Sequence, residues 1–211
     1  MARHFFFDLD KTLTPSRSLM LPEHQAVFER LCKERDVVVV SGAEIRQMQS
    51  QLPASLAGLF YILAQNGNHA IDKSGTELWR EELTSARKSA ILAFAENVKR
   101  ELALFVKDEN DLIEDRGAQI SYSLIGHHED LAKKNAFDPD AHLRLDILAR
   151  HAADVEELKQ KGVEVKTGGT TTLDFFSWGM HKGYNISRFI EKMGWEKEDC
   201  IYVGDALFPG G

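Results

Sequence analysis

The sequence predicts an α/β protein, an open, doubly wound parallel sheet of Rossmann type interrupted by an inserted α+β module. Three observations lead there. Short apolar runs alternate with amphipathic helical stretches as far as about residue 82. Between about 83 and 178 that alternation gives way to two long helical stretches and several short strands. From Lys182 a helix and then an apolar run restore the first pattern. Strand–helix alternation favours a parallel sheet covered by helices, whereas segregated strands and helices favour an α+β layout. The expected division is a core of residues 1–82 and 179–211 around an insert of residues 83–178.

Each element has its own signal. Residues 3–7 form an apolar strand, and 21–34 carry apolar residues at helical spacing. Val37 to Val40 is an unbroken β-branched run, as expected of a parallel strand buried on both faces. It ends in Ser41-Gly42, before a helix over 43–51 and a strand over 61–63. Strands at 68–71 and 77–79 flank Lys73-Ser74-Gly75, a hairpin signal. The insert is predicted as a helix over 84–104, strands over 112–114 and 119–125, one long helix over 140–161, and strands over 163–166 and 171–176. A helix from Lys182 to about Met193 and a strand over 200–203, ending in Gly204-Asp205, complete the core.

Composition narrows the function classes. The chain has 211 residues, 43% of them apolar and 28% charged, enough to bury a sizeable core. A net charge of −7 argues against nucleic acid or an anionic membrane as partner. Cys32 and Cys200 have no metal-ligand spacing and read as reduced thiols. The N-terminus enters a strand with no leader pattern, and no apolar run reaches membrane-spanning length, so the expected compartment is the cytoplasm.

The chemistry is concentrated in Phe5-Phe6-Phe7-Asp8-Leu9-Asp10-Lys11-Thr12-Leu13-Thr14. Residues two apart on a strand share a face, so Asp8 and Asp10 are brought together where the strand leaves the sheet. Two carboxylates so placed repel unless a cation lies between them. Mg²⁺ suits that position, because it takes oxygen ligands from one or two carboxylates and a substrate phosphate. One carboxylate can then attack phosphorus while the other passes protons. Ser41 stands where ligands of open α/β sheets bind, beyond the carboxyl end of a strand. A plain strand-to-helix turn, capped by the serine, explains the same dipeptide. Lys182, at a helix start, can neutralise a transferred phosphoryl group. Asp205 ends another strand and adds a further oxygen donor, giving Asp8, Asp10 and Asp205 as the metal set.

This series, DxDxTLT, then Ser-Gly, then Lys, then Gly-Asp, resembles the four motifs of the haloacid dehalogenase (HAD) phosphotransferase superfamily. The resemblance implies Asp8 as a nucleophile forming an aspartyl-phosphate and Asp10 as general acid/base. Thr12 is implied to position the motif loop. An α+β insert between the second and third motifs looks like a C2-type cap of subclass IIB, the C2B kind. Within that group most of the chain resembles eukaryotic-type phosphomannomutases. By that likeness Arg17, Arg116, Thr172 and Asp174 contact substrate, with Thr172 and Asp174 in Gly168-Gly169-Thr170-Thr171-Thr172-Leu173-Asp174-Phe175-Phe176. The ending Phe208-Pro209-Gly210-Gly211 also fits.

The departures lie in the basic set. His127 replaces a phosphate-gripping arginine, Lys134 falls where another arginine belongs, and Lys11 stands where glycine is usual. Arginine grips phosphate through a planar fork, lysine is a point charge, and histidine is often neutral. A mutase must hold a bisphosphorylated sugar while it turns, whereas a phosphatase needs no such distal grip. The expectation is a Mg²⁺-dependent phosphatase of a phosphorylated sugar. A phosphomannomutase and a catalytically silent sugar-phosphate-binding protein stand as alternatives. The family pattern continues past Gly211 with an Asn-Asp pair, so a truncated core is expected. Mutase-type members pair through their caps, which implies a homodimer, although the sequence itself carries no interface signal.

Overall fold

The computed structural model describes residues 3–104 and 106–205. They fold as two compact units, one of residues up to Glu81 and from Met180 onward, the other Glu82–Gly179.

The first unit holds β1 (His4–Asp8), α1 (Pro22–Glu34), β2 (Asp36–Val40), α2 (Ile45–Gln51), β3 (Tyr61–Ala64), β4 (His69–Ile71), β5 (Glu77–Arg80), α7 (Lys182–Met193) and β10 (Cys200–Val203). Its sheet runs β10-β1-β2-β3-β4-β5. The first four strands are parallel, and β4 and β5 add an antiparallel edge. The valine run does what its composition demands. Val37 and Val39 pack with α1 and α2 residues such as Phe28 and Met48, while Val38 and Val40 pack with Phe189 and Ile190 of α7. Helices therefore cover both faces, and the doubly wound α/β class is borne out. The chain steps from β1 to β2 and β3 on one side, and β10 returns on the other side of β1. β1 is thus the strand at which the order reverses, the position where open α/β sheets place their ligands.

The second unit contains α3 (Ser85–Leu102), β6 (Ile113–Asp115), β7 (Gln119–Ser123), α4 (Leu131–Phe137), α5 (His142–Arg150), α6 (Ala152–Gln160), β8 (Val163–Gly168) and β9 (Thr172–Ser177). Its antiparallel sheet runs β6-β7-β9-β8. Ile120, Phe175 and Val165 lie opposite one another across it and pack with Phe94 and Val98 of α3. Two expectations need correction. The single helix expected over 140–161 is two, because His151 leaves helical geometry between them (φ −94°, ψ 26°). Its ring lies 2.8 Å from Glu101 and 2.9 Å from Asp154, contacts that reward the break. α4 was not expected; Asp130 caps it by accepting from the Lys133 N–H.

Candidate active site

β1 ends on Asp8, and the chain then folds tightly around one carbonyl. The Leu9 oxygen accepts from the N–H groups of Leu13 (2.9 Å) and Thr14 (3.0 Å), with Leu9 itself fully buried. The Thr14 hydroxyl donates to Gln51 Oε1 at 2.9 Å, tying the loop to α2. Thr12, expected to position this loop, has its hydroxyl buried without a hydrogen-bond partner. Its N–H donates to the Leu9 carbonyl at 3.3 Å, so Thr12 holds the loop through the backbone while Thr14 does so through its side chain. The Asp10 carboxylate accepts the Arg17 N–H at 2.7 Å, and Arg17 is exposed with a left-handed backbone (φ 51°).

Ser41 follows β2 and is almost fully buried. Its Oγ accepts the Ala43 N–H at 3.1 Å, so the capping expected of a plain turn is present. The hydroxyl proton is still available to donate. Lys182 opens α7 and places its ammonium 3.1 Å from Asp8 Oδ1. Burial pushes the Asp8 carboxyl above its ordinary value, with Asp205 adding like charge, while Lys182 and the Leu9 N–H pull the other way. Burial alone would lower the Lys182 ammonium, but Asp8 and the Tyr202 phenol outweigh it and raise the net value. Asp205 is exposed two residues beyond β10. Asp8 and Lys182 are thus in contact, Asp205 acts on Asp8 through its charge, and Ser41 caps the neighbouring strand.

In the second unit a polar row crosses the sheet, Glu114, Ser121, Asp174 and Lys166 lying opposite one another in register. Ser121 donates to Asp174 Oδ1 at 2.6 Å, and the Thr172 hydroxyl donates to the Gly168 carbonyl at 2.7 Å. Gly168 leaves room for that carboxylate, since a Cβ there would sit 2.0 Å from Asp174 Oδ2. Arg116 is bonded to Glu114, its Nε donating at 3.1 Å. His127 is buried, with Nε2 3.1 Å from the Ser121 carbonyl and Nδ1 3.5 Å from Glu114. Lys134 donates to the His127 carbonyl at 2.6 Å. Of the residues expected at the substrate in this stretch, Asp174 and Arg116 are bonded to members of that row, His127 meets it at Ser121 and Glu114, Lys134 reaches it through the His127 carbonyl, and the Thr172 hydroxyl is turned to the Gly168 carbonyl.

A model of haloacid dehalogenase-like hydrolases matches residues 5–207 of this chain. The chain belongs to that family. The phosphomannomutase of Schizosaccharomyces pombe is 26% identical over 219 residues, covering 97% of this chain and 81% of the relative. That of Saccharomyces cerevisiae is 27% identical over 223 residues, with the same coverage of 97% and 81%. Among solved structures, a haloacid dehalogenase-like hydrolase from Bacteroides thetaiotaomicron superposes with a TM-score of 0.62 at 16% identity, covering 97% of this chain and 82% of that one. An IMP-nucleotidase of Plasmodium falciparum gives 0.65 at 15% identity, covering 100% of this chain and 60% of that one. The protein is accordingly a phosphoryl-transfer enzyme of HAD type.

HAD enzymes generally use Mg²⁺. Among the described residues no three Asp, Glu, His or Cys side chains form a closed metal cluster. The Asp10 carboxylate accepts the Arg17 N–H through one of its two oxygens, Oδ1. The donor chemistry still suits Mg²⁺, which takes one or two carboxylates and draws its other oxygens from water and phosphate. Asp8 and Asp205 act on one another as like charges, a repulsion that a cation would relieve.

Sequence reasoning passed over two groups in this HAD enzyme. Tyr202, on β10 beside β1, is the second side chain that interacts with the Lys182 ammonium. Arg144 is fully buried and donates to the carbonyls of Gly168 (2.7 Å), Gly169 (3.0 Å) and Thr172 (3.2 Å), while its Nε bonds Asp138 at 2.9 Å. It pins the turn that carries Thr172. A signal existed: Asp138 caps α5 and Arg144 lies on that helix's apolar side, three residues before Ile147.

The expected ending Phe208-Pro209-Gly210-Gly211 lies outside the described residues. No described helix is long and apolar enough to cross a membrane.

Proposed function

We propose that this enzyme is a Mg²⁺-dependent phosphatase of a phosphorylated sugar, working through an aspartyl-phosphate on Asp8. The observation that carries the reading is a largely buried Asp8 carboxylate, at the strand where the sheet order reverses, held 3.1 Å from the Lys182 ammonium. A carboxylate so placed is poised as a nucleophile, and the lysine neutralises both it and an incoming phosphoryl group.

Asp8 attacks phosphorus in line, and the bond from phosphorus to the sugar oxygen breaks. Asp10 gives its proton to that leaving oxygen. It then takes a proton from water, which attacks the aspartyl-phosphate, frees inorganic phosphate and restores Asp8. The Ser41 hydroxyl and the Lys182 ammonium hold phosphoryl oxygens throughout, so the barrier falls mainly by positioning and charge neutralisation. Asp8, Asp10 and Asp205 would hold Mg²⁺, which when bound supplies further neutralisation of the phosphoryl charge. Arg17, Arg116, Lys134, Thr172 and Asp174 are the proposed substrate contacts.

Hydrolysis rather than isomerisation is supported by how the second unit uses its positive charge. His127 is buried with its ring against the Ser121 carbonyl and Glu114, Lys134 is bonded to the His127 carbonyl, and the Arg116 fork is bonded to Glu114. Such groups offer a distal phosphate a weaker grip than a set of outward arginines. A second reading, a mutase, is favoured by the two relatives named phosphomannomutase, each matched over 97% of this chain.

One assay separates the readings. The protein is incubated with Mg²⁺ and mannose 1-phosphate or mannose 6-phosphate, and both free phosphate and the other isomer are followed. Phosphate release without isomer supports the phosphatase. Isomer formation stimulated by a sugar bisphosphate, with little phosphate released, would replace it with the mutase. Binding with neither product would leave a silent sugar-phosphate-binding protein.

A further inference from the structure

The turn after β3, Gln65–Gly67, runs through three consecutive left-handed residues: Gln65 (φ 52°), Asn66 (φ 59°) and Gly67 (φ 86°). Glutamine is not a residue that adopts this region freely, and such strain persists only where its surroundings impose it. Those surroundings are two of the site's phosphate-facing segments. On one side Asn66 N–H donates to the Ser41 carbonyl at 2.8 Å, and Gln65 N–H donates to the Ala43 carbonyl at 2.9 Å. On the other side stand two buried asparagines. Asn68 Nδ2 donates to the Gln65 carbonyl (2.9 Å) and the Met180 carbonyl (3.0 Å). Asn185 Nδ2, on α7, faces the Asn66 carbonyl (3.0 Å), the Met180 carbonyl (3.1 Å) and Asn68 Oδ1 (3.2 Å).

The packing permits no slack. A Cβ on Gly67 would lie 2.4 Å from Asn185 Cβ, so α7 is pressed directly against the turn. Met180 stands two residues before Lys182, and Asn185 lies three residues after it on the same helix. The network thus grips the chain on both sides of the lysine and ties it to the backbone of Ser41. It is not the most stable way to fill the space. Asn185 is fully buried yet its Oδ1 has no partner, an unsatisfied acceptor that ordinarily costs stability. Local rules broken without a gain in stability are expected where function demands the geometry.

We propose that Asn68 and Asn185, with the strained turn 65–67, are positioning residues that hold Lys182 and Ser41 in register on one phosphoryl group. The inference rests on the reading of Lys182 as the phosphoryl-holding cation. Asn68 and Asn185 touch no reacting atom and act through Lys182.

The test is a double-mutant cycle read by binding, so that it does not depend on turnover. Orthovanadate, which mimics the phosphoryl group in flight, is titrated calorimetrically into the full chain with Mg²⁺ present. The proteins compared are wild type, Asn185→Ala, Lys182→Ala and the double variant. We expect Asn185→Ala to weaken vanadate about tenfold when Lys182 is present, an ordinary coupling for contacting groups, and less than about twofold when Lys182 is absent. Equal losses in both backgrounds, or no loss in either, overturn the brace. Should Asn185→Ala fail to melt cooperatively, Asn68→Ala, which removes the donations to Gln65 and Met180 and the acceptor facing Asn185, carries the same cycle. Wild-type protein that binds no vanadate overturns the reading of the Asp8 and Lys182 site itself. Wild-type binding with an unresponsive Asn185→Ala overturns only the brace.

Discussion

Each unit buries one carboxylate against one cation, and the two pairs end in opposite states. Asp8 faces Lys182 at 3.1 Å, and Asp138 faces Arg144 at 2.9 Å. Burial pushes both carboxyls up. For Asp8 that push wins, with only the lysine and the Leu9 N–H against it and Asp205 reinforcing it. For Asp138 it loses, because Arg144 and the N–H groups of Leu143 and Arg144 all donate, and the carboxyl is held below its ordinary value. A scaffold saturates its charges; a reactive site leaves one short of partners. The Asp8 carboxylate takes its side-chain donor, Lys182, at Oδ1, whereas both oxygens of Asp138 are committed, Oδ1 to the Leu143 N–H and Oδ2 to the backbone and Nε of Arg144.

The largest expected effect follows from that shortfall. Asp8→Asn should lower phosphate release by at least about a thousandfold, the scale seen when a nucleophile is removed. Its unfolding free energy should stay within about 1 kcal/mol of wild type, because few partners are lost. Steady-state phosphate release and urea denaturation on the same preparation check both halves. Unchanged turnover refutes the nucleophile, and a large loss of stability refutes the contrast with Asp138.

The reverse is expected in the second unit. Arg144→Met leaves Asp138 buried and unpaired, and breaking such a pair from one side costs about 3–5 kcal/mol. Urea denaturation should show that loss, together with a raised KM for the sugar phosphate, since the 168–172 turn loses its donor. Asp138→Asn tests the same pair through pH. The Asp138 carboxyl is depressed in the folded state, so its contribution is complete above the unfolded value of about 3.8 and is lost as pH falls through the folded value. Wild type should therefore lose more stability than Asp138→Asn between pH 5 and pH 3, and parallel curves would remove the pair from the account.

The same contrast explains what could be read from the chain. Asp8, Ser41, Lys182 and Asp205 each sit at the end of a strand or start of a helix, so apolar runs and their terminators locate them by local pattern. The two-faced burial of Val37 to Val40 is likewise written in four consecutive residues. The joint role of Asn68 and Asn185 was not legible because they meet Met180 and Asn66 across more than a hundred residues, whereas Arg144 had a local signal in Asp138, six residues before it. The break at His151 escaped for a similar reason: it is set by Glu101 on another helix, while the apolar spacing through α5 and α6 continues undisturbed. Thr12 and Thr14 look alike in the motif, and the folded positions of Leu9 and Gln51 decide which hydroxyl is bonded.

The smallest effect probes where strain is stored. The first unit carries left-handed non-glycine residues at Lys11, Arg17, Gln65 and Asn66, all beside the site, against Ala103 and Ala141 in the second. Lys11 (φ 61°) stands where the resemblance expects glycine, and its side chain is exposed. Glycine relieves the left-handed penalty but restores freedom to the unfolded chain, so the two effects partly cancel. Lys11→Gly should therefore raise stability by only about 0.5 kcal/mol. Its turnover should change less than about threefold if the loop geometry is set by the Leu9 carbonyl and Thr14 rather than by the lysine. Thermal melts and initial rates give both numbers. A stability loss, or a collapse in rate, would mean that the Lys11 ammonium acts on the neighbouring carboxylates, and the strain at this edge would then belong to the chemistry rather than to the turn.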